Sequence, residues 1–248
     1  MFIRYNLAVL MLVLTFNGHG ESVSQSHTGK IIGGHEAKPH SRPYMVLLEM
    51  KTYRNETKHC GGFLLSEDFV MTAAHCQAKS YQVFLGLHSY NDQNKLVLTV
   101  KQAFPHKGYC KHSYINDIML LKLSTKATFS DRVKPIALAD QLDCSVPKSC
   151  IVAGWGLMSR DNAMMSKRLM EVNVTLIDDK KCPAKNMYCS EGEQGPFKGD
   201  SGGPLVCENG RAYGVVAAIT RQSSGSMLYM YTKIPDSRKW LKYIMGQI

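Results

Sequence analysis

Apolar residues between positions 31 and 230 come in runs of only four or five, each closed off by turn-forming residues. Tyr44-Met45-Val46-Leu47-Leu48, Gln82-Val83-Phe84-Leu85, Leu96-Val97-Leu98-Thr99-Val100, Ile118-Met119-Leu120-Leu121 and Ile151-Val152-Ala153 are the clearest. Runs this short, several rich in Val, Ile or Thr, favour strands over helices. Helical spacing emerges only at the end of the chain. There Asp236 or Ser237 is expected to cap a helix with Trp240, Leu241, Ile244 and Ile248 on one face. The expectation is an all-β body, in barrels or a sandwich, closed by one amphipathic helix.

The first thirty residues read differently. Arg4 precedes a ten-residue apolar stretch, Leu7 to Phe16, and small polar residues follow at Asn17, Gly18 and Gly20. A bilayer span needs ~20 apolar residues, so this is expected to be a secretory signal peptide over 1–20, with no membrane span. Secretion turns the eight cysteines into candidates for disulfides. No CxxC pair is present, so neither a metal nor a cofactor is expected. The net charge of +10 suggests a polyanionic partner such as a sulfated glycan, or serves solubility alone. No nucleic-acid-binding pattern accompanies it, so nucleic acid is not expected as a partner.

Three segments carry chemistry: Thr72-Ala73-Ala74-His75-Cys76, Asn116-Asp117-Ile118-Met119-Leu120 and Gly199-Asp200-Ser201-Gly202-Gly203-Pro204. Alone, a histidine or an Asp-Ser-Gly turn means little. In the order His, Asp, Ser, within a secreted cysteine-bearing β protein, they point to nucleophilic catalysis.

With Ile31-Ile32-Gly33-Gly34-His35-Glu36-Ala37 and Pro39-His40-Ser41-Arg42-Pro43-Tyr44, these segments resemble the chymotrypsin-like serine proteases. Phe197-Lys198-Gly199-Asp200-Ser201-Gly202-Gly203-Pro204-Leu205 is most similar to the granzyme, cathepsin G and mast-cell chymase branch. The resemblance runs from Ile31 to the C-terminus. It implies two six-stranded antiparallel β-barrels with the active site between them, acting as a monomer. Ser201 would be the nucleophile, His75 its base and then acid, and Asp117 the group that holds the imidazole. Backbone N–H groups of Gly199 and Ser201 would form the oxyanion hole.

The resemblance further implies a zymogen. Residues 21–30 would be a propeptide ahead of a peptidase domain over 31–248. Cleavage after Lys30 would free the Ile31 amine to pair with Asp200. The segment is longer than the acidic dipeptide usual in granzymes and chymases, and it ends in lysine, so a trypsin-like activator is expected. Matching positions imply the bridges Cys60–Cys76, Cys150–Cys207 and Cys182–Cys189. Cys110 and Cys144 remain, as free thiols or as a further bridge. A bridge common near the substrate pocket is missing, because Phe197 takes its first cysteine position.

The family's primary pocket would rest on Gly195 and Pro196, with Tyr229 on the opposite wall. No carboxylate stands there to hold arginine or lysine, so an apolar preference is expected, with Tyr229 filling the pocket from the side. Ala217 loses a hydroxyl that commonly supports the triad aspartate, and Ile219 in place of glycine narrows the entrance. Only six residues separate Cys182 from Cys189, about half the usual length.

Asn55 and Asn173 begin glycosylation sequons, with Asn173 expected to face outward between inward Val172 and Val174. Basic residues gather at Lys180, Lys181 and Lys185 and at Arg238, Lys239 and Lys242. By resemblance such patches bind sulfated proteoglycans. Two readings therefore stand. One is a secreted or granule-stored serine endopeptidase, acting on protein or peptide substrates and controlled by serpin inhibitors. The other is a catalytically impaired protease-fold protein that binds sulfated glycans.

Overall fold

A computed structural model describes residues 31–140, 148–158 and 164–246. The expected signal peptide, Lys30, Cys144 and Ile248 lie outside the described residues. A two-residue strand, β1 (His35–Glu36), leads into six longer ones. These are β2 (Met45–Lys51), β3 (Thr57–Leu64), β4 (Phe69–Thr72), β5 (Ser80–Leu85), β6 (Leu96–Pro105) and β7 (Met119–Leu123). They close into a barrel in the order β2-β3-β4-β7-β6-β5. Strands β8 (Ser149–Gly154), β9 (Met170–Thr175), β10 (Met187–Gly192), β11 (Pro204–Cys207), β12 (Ala212–Arg221) and β13 (Met227–Lys233) make the second sheet. All neighbouring strands pair antiparallel.

The second unit differs in detail from the expected six-stranded barrel. Its order is β1-β9-β8-β11-β12-β13-β10, so β1 adds a seventh strand on the outer edge of β9. Just past β9 an isolated bridge joins Leu176 to Ser190 of β10, and the Ile177 N–H donates to the Cys189 carbonyl at 2.9 Å. The Cys182–Cys189 disulfide closes the short loop just beside that bridge.

Strand β2 explains why the sequence reads there as a continuous apolar run. Val46, Leu48 and Met50 point into the first barrel's core. Met45 and Leu47, on the opposite face, pack with Phe84, Trp155 and Leu169 at the junction between the units. A strand covered on both sides has no polar face to alternate with. Strand β6, at the surface, alternates as a half-buried strand should, with Leu96, Leu98 and Val100 against the core.

The C-terminal helix α1 (Arg238–Gly246) is entered through a 3₁₀ turn over Pro235–Ser237. The expected Asp236 or Ser237 cap is not made: no side chain caps this turn. Proline near the turn's start needs no donor there, and the Ser237 N–H bonds the Ile234 carbonyl instead. Leu241 is buried, and Trp240 and Ile244 pack on the first barrel's core as the spacing predicts.

The disulfides Cys60–Cys76, Cys150–Cys207 and Cys182–Cys189 all form, and Cys110 is free and exposed. Leu48, fully buried between the β3 and β5 ladders, reports on the first core. Leu48→Ala should cost about 2–5 kcal/mol of unfolding free energy, read from the denaturant midpoint.

Candidate active site

His75 sits in a 3₁₀ turn over Ala74–Cys76 and is pinned by the Cys76 disulfide to β3. Asp117 lies two residues before the start of β7, after a loop in which Tyr114 and Asn116 both take positive φ. Asp117 is wholly buried. One carboxylate oxygen accepts the His75 backbone N–H at 2.8 Å, and the other lies 2.6 Å from His75 Nδ1. An ionised carboxylate only accepts, so this contact places a proton on Nδ1 and leaves Nε2 as the acceptor facing the cleft. A ring nitrogen of His75 also lies near the sulfurs of Cys60 and Cys76, but those are bonded to each other and are no metal ligands.

Ser201 comes from the second unit, in a turn just before β11. Its carbonyl accepts the Gly61 N–H of β3 at 2.7 Å, and the Gly202 N–H bonds the Val216 carbonyl at 2.8 Å. Gly202 has φ +84°, and a Cβ there would fall 2.1 Å from Thr72 Oγ1. Gly199, at φ +99°, has Gly156 Cα 3.0 Å from where its Cβ would be. Only glycine fits both positions, so the turn that presents Ser201 is set by backbone sterics.

Asp200 is fully buried. It accepts backbone N–H groups from Gly156 at 2.8 Å and Phe197 at 2.9 Å. Among the described residues no ion pair reaches it. Burial pushes its carboxyl up to about 6, against the partial relief of those two bonds. Ile31 is buried in the second unit's core at φ +53°, and the Ile32 carbonyl accepts the Gly195 N–H at 3.0 Å. In this intact chain the segment after Lys30 therefore already lies along the floor of the second unit. The expected pair between Asp200 and a free Ile31 amine belongs to a cleaved chain.

His75 and Ser201 line one cleft of about 370 Å³ with Tyr114, Phe197, Ala217 and Ile219. Gly195, Pro196 and Tyr229 are not on its surface. All three are buried, and a Cβ on Gly195 would lie 2.5 Å from the Tyr229 ring. The Tyr229 hydroxyl donates to the Glu193 carbonyl at 3.3 Å. Ala217 occupies a bulge where the β12–β13 register shifts between Val216 and Ala218, and Ile219 pairs with Tyr229 across the ladder.

Tyr114, Lys198 and Met227 line the cleft and were not singled out from sequence. Tyr114 meets His75 edge to face, ring centroids 6.0 Å apart. Its closeness to Asp117 in the chain was the available signal. Asn55 lies exposed in the β2–β3 turn, and Asn173 faces out from β9 between buried Val172 and Val174. Lys180, Lys181, Lys185, Lys239 and Lys242 are exposed, and Arg238 is half-buried with Asp140 nearby.

An imidazole held by a buried carboxylate can take a proton from a hydroxyl and return it to a leaving group. Two barrel-like β units with histidine on one and serine on the other define a serine hydrolase of the two-barrel kind. Residues 31–241 match the Trypsin family model, and the chain belongs to that family. It is a serine endopeptidase of the granzyme and chymase type. It is 40% identical to granzyme B of Rattus norvegicus over 96% of this chain and 99% of that one. Mast cell protease 3 of Ovis aries is also 40% identical, covering 96% of each. A solved structure described as "Structure of GrC" superposes with a TM-score of 0.78 at 36% identity, over 87% of this chain and all of that one. Among the described residues no helix is long and apolar enough to cross a membrane.

Asp200 makes the intact chain's stability depend on pH. A carboxyl raised from 3.8 to about 6 holds its proton more tightly in the folded state. Its stabilising contribution is full below pH ~4 and is lost as pH rises through ~6, about 3 kcal/mol in all. Denaturation of the intact chain between pH 4 and 7 should show this fall, and Asp200→Asn should flatten it.

Proposed function

We propose that the enzyme hydrolyses peptide bonds through an acyl-enzyme on Ser201. His75 Nε2 takes the hydroxyl proton as Ser201 Oγ attacks the scissile carbonyl, and gives that proton to the departing amine. Water, deprotonated by the same nitrogen, then releases the acyl group. Asp117 holds the imidazole and stabilises its cationic form. The Gly199 and Ser201 N–H groups face the developing oxyanion, a donor of this kind lowering the barrier by roughly 3 kcal/mol. The observation that carries this reading is the 2.6 Å contact of His75 with a fully buried Asp117 in the cleft that Ser201 lines.

The preference is for small or medium apolar residues on the acyl side of the cut. Tyr229 packed on Gly195 supports it by removing depth, and Phe197, Ile219 and Met227 supply apolar walls. The chain is made with a signal peptide over 1–20 and activated after Lys30 by a trypsin-like protease. The new Ile31 amine then offsets the buried Asp200 charge, which two backbone donors alone leave costly. The product is secreted and stored in granules. Its substrates are proteins or peptides, its inhibitors serpins, and its exposed lysine clusters bind sulfated proteoglycan.

The test uses protein beginning at Ile31, a fluorophosphonate serine probe, a peptide library and a Ser201→Ala control. Labelling that depends on Ser201, with cleavage after small apolar residues, is the expected outcome. A folded protein that neither labels nor cleaves above the control would overturn the protease mechanism and favour the glycan-binding reading. Tyr229→Gly should deepen the pocket and shift preference toward larger apolar residues by about tenfold or more, since each buried methylene is worth roughly 0.8 kcal/mol.

A further inference from the structure

Asn173 stands in a row of outward side chains that crosses three strands. In the ladders it pairs with Ile151 of β8, and Ile151 pairs with Val206 of β11. Their chain neighbours Val152, Val172, Val174 and Leu205 point to the other face, into the second core. Ile151 and Val206 are only half-buried, so an apolar stripe on the outside of the sheet ends at the asparagine of a glycosylation sequon. The three line a cleft of about 240 Å³ together with Arg42, Tyr44 and Glu208. The charged members are held in place. Arg42 Nε donates to the buried Glu171 carboxylate at 2.9 Å, and the Glu208 carboxylate accepts the Ser149 N–H at 3.0 Å.

This mixture of surfaces suits a sugar. An N-acetylhexosamine has apolar C–H faces and an acetyl methyl, edged by hydroxyls and an amide. Ile151, Val206 and Tyr44 match the apolar parts, and the Arg42 guanidinium and Glu208 carboxylate match the polar ones. The cleft is smaller than the ~300 Å³ at which pockets for drug-sized ligands begin, which leaves space for one sugar rather than a chain of them. We infer that it is the seat of the first sugar of a glycan carried on Asn173, an N-acetylhexosamine bonded to the side-chain amide. Attachment forms the bond from Asn173 Nδ2 to the sugar's C1 as the bond from C1 to a lipid diphosphate donor breaks, and the amide proton leaves with the diphosphate. A sugar seated there covers Ile151 and Val206 and removes their exposed apolar area from water. Asn55 gives the contrast, since residues 53–58 of its turn are all exposed and a glycan there starts from solvent. This inference rests on the secretion proposed above.

The test expresses the full chain in glycosylating mammalian cells as wild type, Asn173→Gln, Thr175→Ala, Ile151→Ser and the double variant Thr175→Ala/Ile151→Ser. Mass spectrometry of the secreted protein should find a glycan on Asn173. Asn173→Gln and Thr175→Ala, which both abolish the sequon, should each lower Tm by roughly 2–4 °C. Thr175→Ala should lower it far less when Ile151 is already serine, because the sugar has then lost its apolar contact. Peptide N-glycosidase acting on the native protein should free the Asn173 glycan about tenfold more slowly than the Asn55 glycan, since only the unseated fraction is open to it, and both alike after denaturation. A secreted chain with Asn173 bare would overturn the inference and leave the secretion reading standing. An occupied Asn173 whose loss moves Tm equally in both backgrounds, or not at all, would overturn it too. A chain retained in the cytosol without glycans would overturn the secretion reading together with this one.

Discussion

The site exists because two β units touch through bare backbone. The Gly61 N–H reaches the Ser201 carbonyl at 2.7 Å, and Gly202 lies so close to Thr72 and Gly61 that no side chain fits between them. Thr72 Oγ1 donates to the Gly61 carbonyl at 2.8 Å and locks the same strand from the other side. A Cβ on Gly61 would come 3.1 Å from the Gly203 nitrogen. This contact is what converts a histidine anchored in one unit and a serine presented by the other into neighbours. The disulfide from Cys60 to Cys76 extends the constraint, tying the His75 turn to the residue next to Gly61. Chemistry between groups on separate units depends on their separation being fixed to a fraction of an ångström.

Asp200 is the second consequence of that packing. The glycines at 154 and 156 let its carboxyl come within 2.1–2.6 Å of where their Cβ atoms would be, so the group is surrounded by backbone. Two N–H donors satisfy part of it and leave a net preference for the neutral form. A charge held at such cost next to the serine turn is a natural place for an external cation to act. The proposed activation supplies one from Ile31, whose side chain already sits in the second core.

Much of the fold was legible from local pattern. Short runs bounded by turns gave the strands, and the spacing of Trp240, Leu241 and Ile244 gave the buried face of the helix. What local pattern missed was decided by contacts distant in sequence. The isolated bridge from Leu176 to Ser190 is one such contact. The helix entry is another kind of miss: a proline-led 3₁₀ turn competed with side-chain capping and prevailed. Tyr114 reaches the cleft only because two residues of its loop adopt positive φ, which non-glycine residues seldom signal in sequence. The three bridges came from resemblance, since eight cysteines alone allow about a hundred pairings.

The same distinction separates the chemistry of this cleft from its selectivity. His75, Asp117 and Ser201, the proposed triad, are legible by residue type and order, because proton transfer and nucleophilic attack need those functional groups. Selectivity is written in volume instead. Tyr229 packs against Gly195 only because that distant residue has no side chain, and Ile219 pairs with Tyr229 beyond a bulge at Ala217 that shifts the strand register. Phe197 adds apolar surface where a disulfide commonly braces the wall in resembling enzymes. None of these residues carries a group that reads as functional alone. Their effect is the space they leave, and the proposed preference is one of exclusion, which needs no charged partner at the pocket's base.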